Sequence, residues 1–130
     1  MTALDLSTNT ALRNISLAGN NLDSINLAGL TVLNTLDLSD NDLLALDISD
    51  SANLQRFEIR NNVNLPSLDL TNNNNIEELT FEDNTALHSI TFGNSTSLRV
   101  LTVMDTELTA LDVSTLTNLF QLVVDNAFIT

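Results

Sequence analysis

The stretch that decides the fold is residues 33–54, LNTLDLSDNDLLALDISDSANL. It contains one spacing of apolar residues twice. Leu33-x-x-Leu36-x-Leu38-x-x-Asn41-x-Leu43 is followed at once by Leu43-x-x-Leu46-x-Ile48, and the next apolar residue of this pattern is Leu54. Outside this stretch the same element recurs, an apolar-x-apolar triplet with a third apolar residue three positions earlier. A fixed period of this kind indicates a repeat architecture.

The triplets follow one another at nearly constant steps, each ten or eleven positions long, along the whole chain. Their first members are Leu4, Ile15, Ile25, Leu36, Leu46, Phe57, Leu68, Leu79, Ile90, Leu101, Leu111 and Leu122. Alternation within a triplet is the period of a β-strand, and the intervals are rich in the turn formers Asn, Asp, Ser and Thr. Twelve short strands fit either an antiparallel sandwich or a solenoid with two strands per coil. Near-identical units at constant spacing favour the solenoid, because every coil must present the same side chains to its neighbours.

Two kinds of half-unit alternate along the chain. One kind carries Asn at its ninth position, at Asn20, Asn41, Asn62 and Asn84, and has Thr106 and Ala127 at the equivalent positions of the last two coils. The other kind often has Asp at the centre of its triplet, at Asp5, Asp47, Asp69 and Asp112. The true repeat therefore consists of two half-units, and the chain contains six such repeats.

The pattern L-x-x-L-x-L-x-x-N-x-L is the leucine-rich repeat signature. The chain resembles the bacterial-type leucine-rich repeats with a nested 21-residue unit, LxxLxLxxNxLxxLDLxxN, over essentially its whole length, and departs from the pattern at Thr106 and Ala127. Members of this family are mostly surface or secreted proteins and interaction modules, so the resemblance implies a similar role without identifying a partner.

Because both halves of the coil are short strands, we expect an all-β solenoid with two parallel sheets. Equal rise of about 4.8 Å per coil on both sides predicts a nearly straight, flattened rod. It would form a single domain over residues 1–130 with no distinct caps. The ninth-position asparagines should point inward and bond turn backbone groups of their own coil and of the next coil.

Composition excludes several classes of partner. The net charge is −13, from 17 acidic and 4 basic residues, and it repels nucleic acid and anionic membranes. The chain has no cysteine, so it forms no disulfide and no thiolate metal site. It has no apolar run of the length of a membrane span, so we expect no membrane insertion. We expect no cofactor and no bound metal.

The two outer faces of the rod differ in chemistry. The face with Asp at its midline is small-residue and acidic; we interpret it as a solvated surface, with weak divalent-cation or lateral-partner binding as the alternative. The opposite face carries Arg56, Glu58, Arg60, Glu78 and Glu82, which we call the charged face. We expect a surface salt-bridge cluster there, and it is also the most plausible recognition surface because it breaks the monotony of the repeat.

The ends of the repeat array suggest two hypotheses. Repeat sequence runs from Thr2 to Thr130, so the chain is either a piece of a longer repeat protein or a unit that stacks head to tail. A heterologous contact of the second kind does not close and yields a filament. The residues that we expect at such contacts are Leu4, Leu6, Phe120, Val123, Phe128 and Ile129.

These observations favour a non-catalytic structural or adhesive module, extracellular or at a cell surface, that works through protein–protein contacts and self-assembles head to tail into a filament. The alternative is a fragment of a larger surface protein whose charged face binds a protein or glycan. An enzyme is disfavoured because the single His88 and the paired Glu78 and Glu82 have no cleft or nucleophile. Ice binding would require a regular Thr ladder, which is absent. The tripeptides beginning at Asn14 and Asn94 are glycan acceptors only in a secretory setting.

Overall fold

The computed structural model describes residues 2–125 and 127–129, so Thr130 lies outside the described part. Within these residues the chain is an all-β parallel solenoid of about six coils with no helix, which confirms the predicted fold class. Its ten strands are β1 (Ala3–Asp5), β2 (Asn14–Ser16), β3 (Ser24–Asn26), β4 (Thr35–Asp37), β5 (Arg56–Arg60), β6 (Ser67–Leu70), β7 (Glu78–Glu82), β8 (Ser89–Phe92), β9 (Val100–Met104) and β10 (Gln121–Asp125).

The half-units with the ninth-position asparagine form one continuous parallel sheet, which we call the long sheet. Its six strands lie in the order β10-β9-β7-β5-β4-β2. Asn14 pairs with Thr35, and Arg56 pairs with Glu78, so the coil between the second pair is longer by a single residue. The sheet therefore keeps its register through coils of both lengths.

The additional residue of the longer coils lies in the turn that follows the asparagine. In residues 62–65 and 84–87 this turn closes with a backbone hydrogen bond from Leu65 N to Asn62 O (3.1 Å) and from Leu87 N to Asn84 O (2.9 Å). In the shorter turn after Asn41, the N–H of Leu43 instead donates to the side-chain Oδ1 of Asn62, at 3.3 Å.

The second sheet is interrupted, and the expectation of twelve strands is wrong at two triplets. Among the described residues, β1 pairs only with β3, and β6 pairs only with β8. The triplets beginning at Leu46 and Leu111 are not strands. Both lie beside a coil in which the turn after the ninth position is one residue longer than in their own coil.

The core consists of apolar columns, mostly aliphatic, that run along the solenoid between the two sheets. At the first triplet position of the long sheet, Leu36, Phe57, Leu79 and Leu101 are at most 1% exposed. Burial of each such side chain contributes about 1.5–3 kcal/mol. Because one column is filled by the same kind of residue in every coil, each coil can bury its apolar side chains only against its neighbours.

Buried asparagines close one corner of three inner coils, at Asn41, Asn62 and Asn84. Asn41 donates through Nδ2 to the carbonyl oxygens of Leu38 and Ser39 in its own coil and to that of Leu17 in the preceding coil, each at 3.0–3.1 Å. Its Oδ1 accepts a hydrogen bond from the N–H of Leu22, at 3.0 Å. The expected bond to the next coil is therefore wrong, because the carbonyl that faces this side chain is at the strand end of the preceding coil.

A residue in the left-handed region follows five strands of the long sheet and directly precedes the ninth-position residue, which is asparagine in four of them and Thr106 in the fifth. The φ angles are 70° at Gly19, 55° at Asp40, 49° at Asn61, 56° at Asp83 and 51° at Asp105. Gly, Asn and Asp tolerate this conformation better than other residues do. In the inner coils the side chain that follows this residue is buried, at Asn41, Asn62, Asn84 and Thr106.

Replacement of Asn41 by Ala should destabilise the protein by about 1–3 kcal/mol, because it leaves the buried N–H of Leu22 without a partner and removes one of two donors from each of three carbonyls. The matched control is Asn20→Ala in the same column, since Asn20 is exposed and bonds only Leu17 O and Ala18 O in its own coil. Urea unfolding monitored by circular dichroism measures both free energies. Equal losses for the two variants would contradict a stabilising role for the inter-coil bonds.

Candidate functional site

The charged face lies on β5 and β7, which are adjacent in the long sheet. Arg56 lies opposite Glu78 and Arg60 lies opposite Glu82, while Glu58 lies between the two arginines. Within the described residues the one ion pair is Arg60 Nε to Glu82 Oε2, at 3.8 Å. Both of its side chains are more than a third exposed, so the pair contributes at most about 1 kcal/mol. The five residues predicted from the sequence thus share one surface, with one ion pair rather than a network.

A shallow depression of about 210 Å³ lies on this face. Its lining includes Gln55, Arg56, Glu58, Glu77 and Thr80. Sites for drug-sized ligands usually enclose about 300–1,000 Å³ and are mostly apolar. The depression is smaller, polar and open, so it suits hydrogen bonding with a surface rather than enclosure of a small substrate.

His88 and the glutamate pair do not form a catalytic arrangement in the described structure. His88 is exposed, and its Nδ1 lies 3.2 Å from the carbonyl oxygen of Ala86 in the same turn. Glu78 and Glu82 lie at opposite ends of β7 and face solvent on one side of the sheet. In the described part of the chain, no group of three or more His, Asp or Glu side chains is placed to hold a metal ion.

The aspartates on the acidic face have a structural use that the sequence analysis missed. Asp5, Asp47, Asp69 and Asp112 each accept, through Oδ1, the backbone N–H of the residue two positions later, at 2.9–3.0 Å. Asn26 accepts the N–H of Ala28 in the same way, at 3.1 Å. The recurring Asp-x-Ser/Thr tripeptide is the signal that could have revealed these bonds, because short polar side chains commonly bond backbone two residues on.

These hydrogen bonds stabilise the charged form of the carboxylates. The pKa of Asp69 is lowered, first by the side-chain hydroxyl of Thr71 and then by its backbone N–H, while repulsion from Asp47 is a smaller opposing effect. The pKa of Asp47 is lowered by the backbone N–H and hydroxyl of Ser49. Hydrogen bonds to Ser7 and Ser114 lower the pKa values of Asp5 and Asp112. The acidic face is therefore bonded to its own backbone and has no arrangement in which several oxygens converge on a cation.

The two ends of the described array expose apolar side chains. On β10, Leu122 is 45% and Val124 is 40% exposed, whereas their equivalents on β9, Leu101 and Val103, are fully buried. The sequence analysis expected Val123 at this end, but Leu122 and Val124 have the core-facing positions. Phe120 is 75% exposed and immediately precedes β10.

The other predicted end residues lie in different places. Leu4 and Leu6 are half-buried and pack against the core at the N-terminal end of the array. Phe128 is 68% exposed and lies beside Thr85, Thr106 and Glu107, so it flanks the side of the array. Ile129 is 40% exposed.

Asparagine has structural roles at further positions that the sequence analysis did not single out. Asn73 is 1% exposed and donates to the carbonyl oxygens of Ile48 and Ser51 at the corner opposite Asn41. At the surface, Asn53, Asn75 and Asn118 each donate to a carbonyl of the preceding coil. Their recurrence at whole multiples of the coil length is the signal for this third ladder. Of the two possible glycan acceptors, Asn14 is exposed on β2 and Asn94 is exposed in a turn.

Comparisons with known proteins show a likeness at the level of the fold. No protein-family model matches the chain, and no curated protein matches it. The chain is similar to a solved structure described as the functional domain of InlJ from Listeria monocytogenes, which includes a cysteine ladder, with 23% sequence identity and a TM-score of 0.66. The match covers 100% of this chain and 33% of that one, so the chain spans about a third of its length.

Two observations qualify this similarity. This chain contains no cysteine, so it does not share the cysteine ladder; its buried ladders consist of asparagine. Separately, no helix in the described part of the chain is long and apolar enough to cross a membrane.

Acidification should destabilise the protein through the lowered aspartate pKa values. A carboxylate whose pKa is lower in the folded state than its ordinary 3.8 stabilises the fold above that pH, and the contribution is lost as the pH falls through the folded-state pKa. The change to test is Asp69→Asn, whose amide oxygen still accepts the Thr71 N–H, as Asn26 does for Ala28. The stability advantage of the parent over this variant should shrink between pH 6 and pH 2.5 in urea unfolding.

The matched control for this prediction is Asp42→Asn. It removes the same charge from an exposed aspartate for which the structure gives no hydrogen bond to the carboxylate. The same dependence on pH in both variants would show that net charge, rather than the bond to Thr71, is responsible.

Proposed function

We propose that the chain is a leucine-rich repeat module of the nested bacterial type that acts without catalysis, through protein–protein contacts, outside the cell or at its surface. The recurring L-x-x-L-x-L-x-x-N pattern and the InlJ-like solenoid support the repeat family. The described surfaces are flat or shallow, and they suit association better than chemistry. On this proposal residues 1–130 form one repeat domain.

The contact that we propose is end-to-end association of copies into a filament. One observation carries it: the core-facing side chains of β10 are 40–45% exposed although the same columns are fully buried one coil earlier. A further coil placed on β10 would bury them at about 25 cal/mol per Å² of apolar surface. It would also pair with the outer edge of β10, which has no partner strand among the described residues; an open edge of this kind is prone to association.

Replacement of Phe120 by Asp should prevent this association, because it places a charge beside the exposed core-facing residues of β10 while changing a side chain that is already 75% exposed. Negative-stain electron microscopy and light scattering over a concentration series measure the outcome. We expect filaments about one solenoid wide for the parent chain and dispersed particles for the variant.

The control for this experiment is Leu44→Asp. Leu44 is 60% exposed, but it lies in a turn of an inner coil and not at an end of the array. This variant should assemble like the parent. Single particles of the parent chain at every concentration would contradict the proposed association and direct attention to the charged face.

The charged face supports a second candidate function, recognition of a protein or glycan. Here five charged side chains occupy two adjacent strands of a sheet whose neighbouring strands present mostly small polar or apolar residues. Arrays of mixed charge fix the register and orientation of a partner more than they add affinity. A partner of this face would present opposite charges at the spacing of neighbouring strands.

The double variant Arg56→Glu with Arg60→Glu should abolish such recognition, because it makes the whole face negative. Binding to a panel of glycans and surface-protein fragments, measured at two salt concentrations, identifies hits that require this face. The control is Arg13→Glu, which changes an exposed arginine at the N-terminal end of the array. Hits that survive the double variant as well as they survive the control would exclude the charged face.

A further inference from the structure

We infer that the charged face is self-complementary, and that a second copy of this chain docks on it face to face. The two copies would be related by a twofold axis that runs parallel to the strands, midway between β5 and β7. The inference rests on the second candidate function, recognition by the charged face, and names the partner. It uses only inner strands of the long sheet, so it does not depend on either end of the array.

The charged face carries charges of opposite sign on two adjacent strands. Arg56 and Arg60 lie on β5, and Glu78 and Glu82 lie beside them in register on β7. All four alternate with buried residues and therefore point outward on the same side of the sheet. The chain has only four basic residues, and two of them are these arginines. The positive charge of a strongly acidic chain is thus concentrated next to a row of glutamates.

Most of these charges are not paired within a single chain. The one ion pair in the described part of the chain joins Arg60 to Glu82, at 3.8 Å. Arg56 and Glu78 lie opposite each other in the sheet and yet form no ion pair there. Their charges are therefore available to a partner that presents the opposite sign.

A twofold axis parallel to the strands would place β5 of each copy on β7 of the other. Arg56 would then lie opposite Glu78 of the second copy, and Arg60 would lie opposite Glu82 of the second copy. Because the axis exchanges the two copies, each of these ion pairs would form twice. A single chain therefore carries both halves of the pattern that this contact requires.

The middle row of the face is complementary in the same arrangement. Glu58 would lie opposite the hydroxyl of Thr80 of the second copy. Since β4 adjoins β5 and β9 adjoins β7, Asp37 would lie opposite Thr102 of the second copy. A threonine hydroxyl can donate to a carboxylate, and hydrogen bonds to a charged acceptor are stronger than neutral ones. Every outward carboxylate on these four strands would thus face a donor.

The other twofold arrangement of two stacked sheets, with the axis across the strands, is disfavoured by charge. It would place Arg56 opposite Arg60 of the second copy and Glu78 opposite Glu82, with Glu58 opposite its own equivalent. Like charges that are juxtaposed at an interface oppose association strongly. The pattern of charge therefore selects one relative orientation of the two copies.

The lengths of the side chains and the range of the electrostatic forces suit this contact. Packed sheets lie about 10 Å apart, a gap that an extended arginine and a glutamate can bridge when they point at each other. The net charge of −13 on each chain is screened beyond about 8 Å at physiological salt, whereas directly opposed pairs are screened much less. The contact involves few short strands, so we expect a weak dimer that buries less than about 1,200 Å².

Exchange of charges between the two strands tests the pairing. Every chain in the experiment carries Phe120→Asp, so that end-to-end association does not contribute; this single variant is the reference. The acidic variant adds Arg56→Glu and Arg60→Glu, and the basic variant adds Glu78→Arg and Glu82→Arg. Sedimentation equilibrium up to millimolar concentration should show each variant alone dimerising about a hundredfold more weakly than the reference. An equimolar mixture of the two should regain the affinity of the reference.

The matched control combines all four exchanges in one chain. Its β5 is acidic and its β7 is basic, so it should dimerise with itself as the reference does but should not pair with the reference. Recovery of dimers in this variant and in the mixture also shows that the exchanges leave the chain folded. The basic variant reduces the net negative charge, so loss of its dimer does not come from overall repulsion.

Three results would overturn the inference. Dimerisation of the acidic variant as tight as that of the reference would place the contact elsewhere, and failure of the mixture to dimerise would overturn the pairing of β5 with β7. A reference chain that stays single at every concentration would overturn the second copy as partner. In that case, hits in the binding panel that Arg56→Glu with Arg60→Glu abolishes would leave recognition of another protein or glycan intact. The absence of both dimers and such hits would overturn both proposals.

Discussion

The buried carboxamide at the corner of the coil is the interaction on which the rest of the structure depends. A solenoid turn must bring strand-end carbonyls and N–H groups into the interior, where an unpaired polar group costs about 1–3 kcal/mol. Asn41 meets three such carbonyls and one N–H with a single side chain. Because two of its partners belong to the preceding coil, the same contacts also fix how one coil lies on another. The leucine columns coincide only when this offset is maintained.

The large negative charge of the chain is compatible with this architecture because several carboxylates accept hydrogen bonds from backbone N–H groups two residues away. Asp69 and its equivalents bond the backbone at the end of the second-sheet triplet and keep a low pKa, so charge on this face accompanies a well-defined turn. Repulsion between Asp47 and Asp69 is a smaller effect than the hydrogen bonds that each accepts. The face can remain acidic without a bound cation to neutralise it.

The coil length, the parallel long sheet and the inward asparagines could be read from the sequence, because each of them recurs with the period of the coil. The period does not show the direction of the inter-coil bonds. The triplet at Leu46 has the apolar pattern of a strand, yet it does not form one in the structure. The turn length changes between its coil and the next, and a difference between coils cannot be read from the triplet alone. Asn73 was missed because asparagine does not recur regularly in its column, which consists of Asn9, Leu30, Ser51, Asn73, Ser95 and Leu116.

The candidate surfaces, like the fold, could be predicted from the sequence only in part. The charged face could be predicted, since residues one coil apart must lie side by side, as Arg56 and Glu78 do. The exposure of the side chains on β10 could not be predicted from the sequence. Alternation along the strand places Val123 outward, but it does not show that Leu122 and Val124 are 40–45% exposed. The side-chain position of Phe128 depends on how the chain folds after the last strand, where the repeat pattern is weakest.

The single additional residue in the turns at 62–65 and 84–87 has a consequence for how such a protein can diversify. The long sheet pairs every residue of β5 with one of β7 although the coil between them is one residue longer. This corner therefore accommodates a change in coil length without altering the pairing of the long sheet. Val63, in one of these turns, already points into solvent. The corner is thus a natural insertion point, at which loops of new sequence could be grafted outward while the asparagine beneath them continues to hold the coil.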